Sequence, residues 1–177
     1  MTSIRGQLFL ALLRNRHLFT PGGRQKPITR TMESIMEFRK LTDRGAKMFG
    51  RVPKDVTVRT ISIDGMEAEW IITPGARPDT AILYFHGGGY VTGDSRGHRA
   101  HVAKVAKGTG IAALLFTYRL APEHPFPAAL EDSLRAYRHL LGEGLDPAHI
   151  AFMGDSAGGG LCLATLLAIK EKELPLP

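Results

Sequence analysis

Gly154-Asp155-Ser156-Ala157-Gly158 is a G-x-S-x-G pattern set between an apolar run, Ile150 to Met153, and a helical pattern that starts at Ala157. A serine at such a strand-to-helix turn projects its hydroxyl from a tight, strained corner, where it can attack a carbonyl carbon. The glycines two before and two after it let the turn form and let helix and strand approach closely. His86-Gly87-Gly88-Gly89-Tyr90 stands 70 residues earlier. Serine attack builds negative charge on the carbonyl oxygen, and each missing N–H donor there costs about 3–4 kcal/mol of transition-state stabilisation. Three consecutive glycines bring backbone N–H groups close to a ligand with no side chain in the way. Ala157 supplies the further donor expected of the residue after the nucleophile. No Lys-Ser or Lys-Thr follows the glycines at Walker spacing, and their spacing is not that of a dinucleotide fingerprint.

The other polar residues near these motifs read as support. His86 and Gly87 organise the turn beside the donors. Asp155 is adjacent to Ser156 in sequence, so its side chain points away from it and serves structure. His98 and His101 lie one helical turn apart without a third ligand pattern, so a solvated helix face is expected and no metal site. Cys162 falls among Leu161, Leu163 and Leu166 and reads as a small core hydrophobe.

These residues need elements to hold them. Residues 3–19 read as an amphipathic helix stopped by Pro21-Gly22-Gly23 and Pro27, and Thr31 to Phe49 as a second helix ended by Gly50. Period-two alternation from Val56 to Ile63, the Asp64-Gly65 turn and Met66 to Ile72 predict a hairpin. Ala81 to Phe85 and Ile111 to Phe116 are short apolar strands. Helices are expected over Arg96 to Lys107, along Leu130, Leu134, Tyr137 and Leu141, and from Ala157 to Lys172. Strands buried on both faces and alternating with helices argue an α/β sheet of about five strands: an antiparallel hairpin, then parallel strands. Right-handed crossovers gather the loops after Phe85 and Phe116 with Ser156 at one sheet edge. Residues 1–52 read as cap-like helices and 53–177 as the sheet domain.

The 177 residues carry a net charge of +6, unevenly placed. Residues 1–60 hold 13 Lys/Arg against 4 Asp/Glu; the remainder holds 10 against 13. The basic residues punctuate apolar positions without interleaved aromatics, which argues a solvated helix face and no nucleic-acid partner. A single cysteine excludes an intrachain disulfide framework. No apolar run reaches membrane-spanning length, so no stable membrane insertion is expected. Leu8 to Leu13 is shorter than a secretory core and lacks a small-x-small cleavage site, so the N-terminus reads as mature sequence and the protein as cytoplasmic.

His86-Gly87-Gly88-Gly89, then Tyr118-Arg119-Leu120-Ala121-Pro122-Glu123-His124-Pro125-Phe126-Pro127-Ala128-Ala129, then Gly154-Asp155-Ser156-Ala157-Gly158-Gly159 resemble the bacterial hormone-sensitive-lipase-like (family IV) esterases of the α/β-hydrolase fold. The motifs stand in that family's order. The similarity runs from about residue 50 to the end, and more loosely through the N-terminal helices, which look like part of the family's cap. The resemblance implies Ser156 as nucleophile and Gly88, Gly89 and Ala157 as oxyanion hole. It implies that Tyr118–Ala129 is a structural bend in which Arg119 pairs with Glu123 or Asp132. It also implies hydrolysis of short- to medium-chain acyl esters, small molecules, without a metal or organic cofactor.

In this fold the triad runs Ser, then Asp or Glu, then His along the chain. His17, His86, His98, His101, His124, His139 and His149 all precede Ser156, and 21 residues follow it. The resemblance therefore places the triad acid and base outside these residues, leaving an incomplete α/β-hydrolase sheet. The chain alone is expected to hydrolyse p-nitrophenyl butyrate hardly above background. The elbow strand is expected at a sheet edge open to self-association. Two further readings stand beside the esterase: a non-catalytic module that binds acyl or carboxylate ligands, and a fragment completed by a complementary C-terminal part.

Overall fold

The computed structural model describes residues 3–15, 31–46 and 51–177. Two helices precede the sheet, α1 (Ile4–Arg14) and α2 (Met32–Ala46). The expected break at Pro21–Pro27 and the distal ends of both expected helices, 16–19 and 47–49, lie outside the described residues. Strands β1 (Thr57–Ile63) and β2 (Met66–Ile72) form the expected hairpin. Asp64 and Gly65 turn it with φ of 49° and 84°, the paired left-handed conformations of a two-residue turn that matches strand twist. There follow β3 (Ala81–Phe85), α3 (Ser95–Thr109), β4 (Ala112–Phe116), α4 (Ala128–Gly142), β5 (Ile150–Gly154) and α5 (Ala157–Glu171).

The sheet order is β1-β2-β4-β3-β5. β4, β3 and β5 are mutually parallel, and the hairpin joins them antiparallel through β2 and β4. β3 and β4 are wholly buried because helices cover both faces. Alternation divides their side chains. Leu83, Phe85, Leu114 and Phe116 pack with Leu134, Tyr137, Leu161 and Ile169 of α4 and α5. Ile82, Tyr84, Ala113 and Leu115 pack with Val102, Ala103 and Ala106 of α3. The helix boundaries have local causes. Asp94 accepts from the Gly97 N–H at 2.6 Å to start α3, and Gly110 at φ 70° ends it.

The elbow strand lies at the sheet edge, as expected. On β5, Ala151 is exposed and Met153 is 43% exposed; on α5, Leu163 and Leu167 are 65% and 64% exposed. The register sets the site. Phe85 pairs with Gly154, so the segments leaving β3 and β5 begin level with each other.

Candidate active site

Ser156 joins β5 to α5 at φ 51° and ψ −120°, a conformation that L-residues rarely adopt. Its side chain makes no capping hydrogen bond at the helix start and is exposed. Two glycines admit this turn. A Cβ on Gly154 would lie 2.6 Å from the Gly158 carbonyl carbon, and one on Gly158 would collide with the Phe85 oxygen and lie 2.7 Å from the His86 oxygen. Helix α5 thus starts directly against the end of β3. The Gly158 N–H donates to the Asp155 oxygen at 2.8 Å and the Gly159 N–H to the Ser156 oxygen at 3.0 Å. No protein acceptor takes the Ala157 N–H among the described residues.

The loop after β3 doubles back on itself. Gly88, Gly89 and Tyr90 have φ of 128°, 63° and 63°. The Gly88 oxygen accepts from the Val91 and Thr92 N–H groups, each at 3.1 Å. A Cβ on Gly88 would run into the Thr92 oxygen, so this turn needs glycine there. Neither the Gly88 nor the Gly89 N–H finds a protein acceptor among the described residues. Three N–H groups on neighbouring turns are therefore left for a ligand, one of them at a helix N-terminus that favours negative charge.

His86 is fully buried and stacks on Tyr118 with ring centroids 4.0 Å apart and planes 6° from parallel. Its Nδ1 lies 2.9 Å from the Gly87 oxygen, and the Tyr118 hydroxyl donates to the His86 oxygen at 2.8 Å. Burial removes the water an imidazolium requires and pushes the His86 pKa down to about 4, against the opposing pull of the Gly87 hydrogen bond. The ring is neutral at physiological pH, with Nδ1–H as the donor to Gly87. Asp155 accepts from the Gly87 N–H at 3.0 Å and from the Tyr84 hydroxyl at 3.2 Å, both on Oδ1.

The structure thus collects Ser156, Ala157, Asp155, His86 and Gly87–Gly89 at the carboxyl ends of β3 and β5. A cavity of about 370 Å³ opens behind the loop, lined by Thr42, Gly87, Gly88, Thr92, His98 and Asp155 among others. Concavities of about 590 and 620 Å³ lie elsewhere, beside Arg119 and Arg135, and neither is lined by Ser156 or the glycine loop.

Of its two expected partners Arg119 takes Asp132, Nε to Oδ2 at 3.0 Å, and it also pairs with Glu131 at 2.8 Å. Glu123 is held instead by Arg39 of α2 in a two-pronged pair, both contacts at 2.7 Å. That hydrogen bonding pulls the Glu123 carboxyl pKa down to about 2. Arg39 also donates to the Val91 and Ala121 oxygens at 2.6 and 3.1 Å, fastening α2 to the glycine loop and the bend together. In the sequence Arg39 is one of many basic residues in the N-terminal segment and reads as solvated charge. His101 is exposed as expected, but His98 is half-buried, 5.1 Å from the His86 ring and 3.9 Å from Asp155 Oδ1. No group of three metal-ligating side chains occurs among the described residues. Cys162 is buried, and burial pushes its thiol pKa up to about 12.

Residues 82–177 match a family model described as the alpha/beta hydrolase fold. An acetyl-hydrolase of Streptomyces hygroscopicus is 39% identical over 138 residues, covering 76% of this chain and 44% of that protein. The crystal structure of an esterase/lipase from an uncultured bacterium superposes with a TM-score of 0.84 at 40% identity, covering 99% of this chain and 56% of that one. An esterase from the bacterial hormone-sensitive lipase family matches with a TM-score of 0.82 at 38% identity, covering 100% and 56%. The chain spans about half the length of these relatives. Among the described residues no helix is long and apolar enough to cross a membrane.

Proposed function

Because the chain belongs to the α/β-hydrolase fold family, in its hormone-sensitive-lipase-like branch, we propose that Ser156 is the nucleophile of a carboxylic ester hydrolase acting on short- to medium-chain acyl esters. The observation that carries this reading is the exposed, strained Ser156 set beside unspent N–H groups of Gly88, Gly89 and Ala157. Ser156 Oγ attacks the ester carbonyl carbon, its proton passes to a base, and the carbonyl oxygen becomes an oxyanion held by those three donors. Collapse of the tetrahedral intermediate expels the alcohol and leaves an acyl-enzyme, which water hydrolyses by the reverse path.

His86 is not that base. Its one N–H is spent on the Gly87 oxygen, its ring is buried against Tyr118, and its low proton affinity suits a neutral support. Among the described residues no histidine bonds to the Ser156 hydroxyl. In this fold the base and its carboxylate follow the nucleophile along the chain, and we assign them to the part of the relatives' length that these residues do not span.

The exposed Met153, Leu163 and Leu167 favour a second reading, in which a complementary C-terminal segment completes the site and covers this face. Release of p-nitrophenol from p-nitrophenyl butyrate tests both readings. A polypeptide in which residues 1–177 are continued by the C-terminal part of an esterase relative should turn over and lose at least about a thousandfold in kcat with Ser156→Ala. Residues 1–177 alone should show near-background rates, and under the second reading should regain activity when mixed with the separately expressed C-terminal segment. Undiminished turnover by Ser156→Ala excludes Ser156 as the nucleophile.

A further inference from the structure

The carboxylate of Asp155 sits where the elbow and the glycine loop meet. Its Oδ1 accepts from the Gly87 N–H at 3.0 Å and the Tyr84 hydroxyl at 3.2 Å, and His98 Nε2 of α3 lies 3.9 Å away. The contact is close. A Cβ added to Gly87 would collide with Asp155 Oδ2 and lie 2.9 Å from the Asp155 backbone oxygen. That backbone oxygen in turn accepts from the Gly158 N–H at 2.8 Å, so Asp155 is tied into the first turn of α5 as well. One residue therefore bonds the loop through its side chain and the helix start through its backbone. A loop with three consecutive glycines has large intrinsic freedom, and specific bonds must remove it. At its far end the Gly88 oxygen takes the Val91 and Thr92 N–H groups. At its near end the Gly87 N–H goes to Asp155. The Gly88 and Gly89 N–H groups lie between these two fastenings.

We propose that Asp155 is the positioning residue of the oxyanion loop: by taking the Gly87 N–H, its carboxylate sets the Gly88 and Gly89 peptide planes at a fixed distance from its sequence neighbour Ser156. This rests on the reading of Ser156 as nucleophile. Any movement of the elbow then carries the loop with it, and the geometry between attacking oxygen and oxyanion donors is preserved. Tyr84 supports the arrangement from β3. Burial and the Asp155 charge raise its pKa, so its hydroxyl stays protonated and continues to donate. The side-chain length matters as well. Gly87 is already in contact with Asp155, so a glutamate would press on the loop and an alanine would release it.

The test has two arms. In residues 1–177, hydrogen–deuterium exchange of the peptide spanning 82–92 is compared among wild type, Asp155→Ala, Asp155→Asn and Tyr84→Phe. Loop amides should exchange at least about tenfold faster in Asp155→Ala and close to wild type in Asp155→Asn, which keeps an acceptor oxygen. Tyr84→Phe should shift exchange in the same direction by less, and keeps the test readable should the alanine variant misfold. In residues 1–177 continued by the C-terminal part of an esterase relative, kcat for p-nitrophenyl butyrate should fall about 10- to 100-fold in Asp155→Ala, with KM changed less than about twofold and most of the rate kept in Asp155→Asn. Loop exchange in Asp155→Ala equal to wild type overturns the proposal, as does an Asn variant as impaired in kcat as the Ala variant. Failure of the nucleophile reading shows separately, as turnover that survives Ser156→Ala, while the exchange arm still reports on the clamp.

Discussion

Replacing Ser156 by glycine is expected to make the fold more stable than replacing it by alanine, because of the backbone conformation this residue holds at the helix start. The backbone at this position has φ 51° and ψ −120°. Holding an L-residue there costs about 1–3 kcal/mol, and the cost comes from Cβ. Alanine keeps Cβ and keeps the strain; glycine removes both. The opposing term is the extra freedom of glycine in the unfolded chain, about 0.5–1 kcal/mol. No lost contact enters the difference, because the serine side chain is exposed and makes no capping bond. Taken at the middle of both ranges, the glycine variant should exceed the alanine variant by about 1 kcal/mol. With a urea slope of about 2 kcal/mol per molar, the unfolding midpoint should differ by about 0.5 M. Equilibrium unfolding followed by far-ultraviolet circular dichroism reads this directly. A glycine variant that unfolds at or below the alanine midpoint would refute the claim that strain is stored at the elbow.

Acid should act through His86. Its proton affinity in the fold is depressed to about 4 from an ordinary 6.5, so between those values the unfolded chain binds a proton that the folded chain refuses. Stability attributable to this residue is complete above pH 6.5 and is lost as pH falls toward 4, by about 3 kcal/mol. In His86→Gln the dependence of unfolding free energy on pH over that window should flatten; an unchanged slope would assign the acid sensitivity elsewhere. Glu123→Gln should loosen α2, because Arg39 loses its charged partner. Faster amide exchange across 32–46 measures this, and no change would show that the Val91 and Ala121 oxygens alone hold Arg39. Gly158→Ala should destabilise by about 1–3 kcal/mol or prevent soluble expression, because the new methyl group meets rigid backbone of β3. Wild-type unfolding midpoints in that variant would contradict the close approach of α5 to β3.

Much of this was legible in the chain, and the reasons are local. Gly154-Asp155-Ser156-Ala157-Gly158 states its turn because only small residues fit where the helix meets the strand end. Asp64-Gly65 states the hairpin because both residues tolerate positive φ. The parallel trio follows from strands too short and too apolar to be half-exposed. What escaped the sequence is long-range polar pairing. Arg39 reaches residues 52 to 84 positions away, and nothing in its neighbourhood distinguishes it from the other basic residues of the N-terminal segment. Tyr84 read as one more apolar strand residue, although alternation turns it toward α3, where its hydroxyl finds Asp155. Asp155 reads from the sequence as a support, but its partner depends on the Phe85–Gly154 register, which no local pattern encodes.

The central claim is that Ser156 carries the acyl group. Rapid acid quench of residues 1–177 continued by the C-terminal part of an esterase relative, during turnover of p-nitrophenyl butyrate and followed by peptide mass spectrometry, tests it most directly. The account predicts a butyryl adduct on the peptide containing Ser156, absent together with turnover in Ser156→Ala. A butyryl adduct on another residue, or turnover retained by Ser156→Ala, would contradict it.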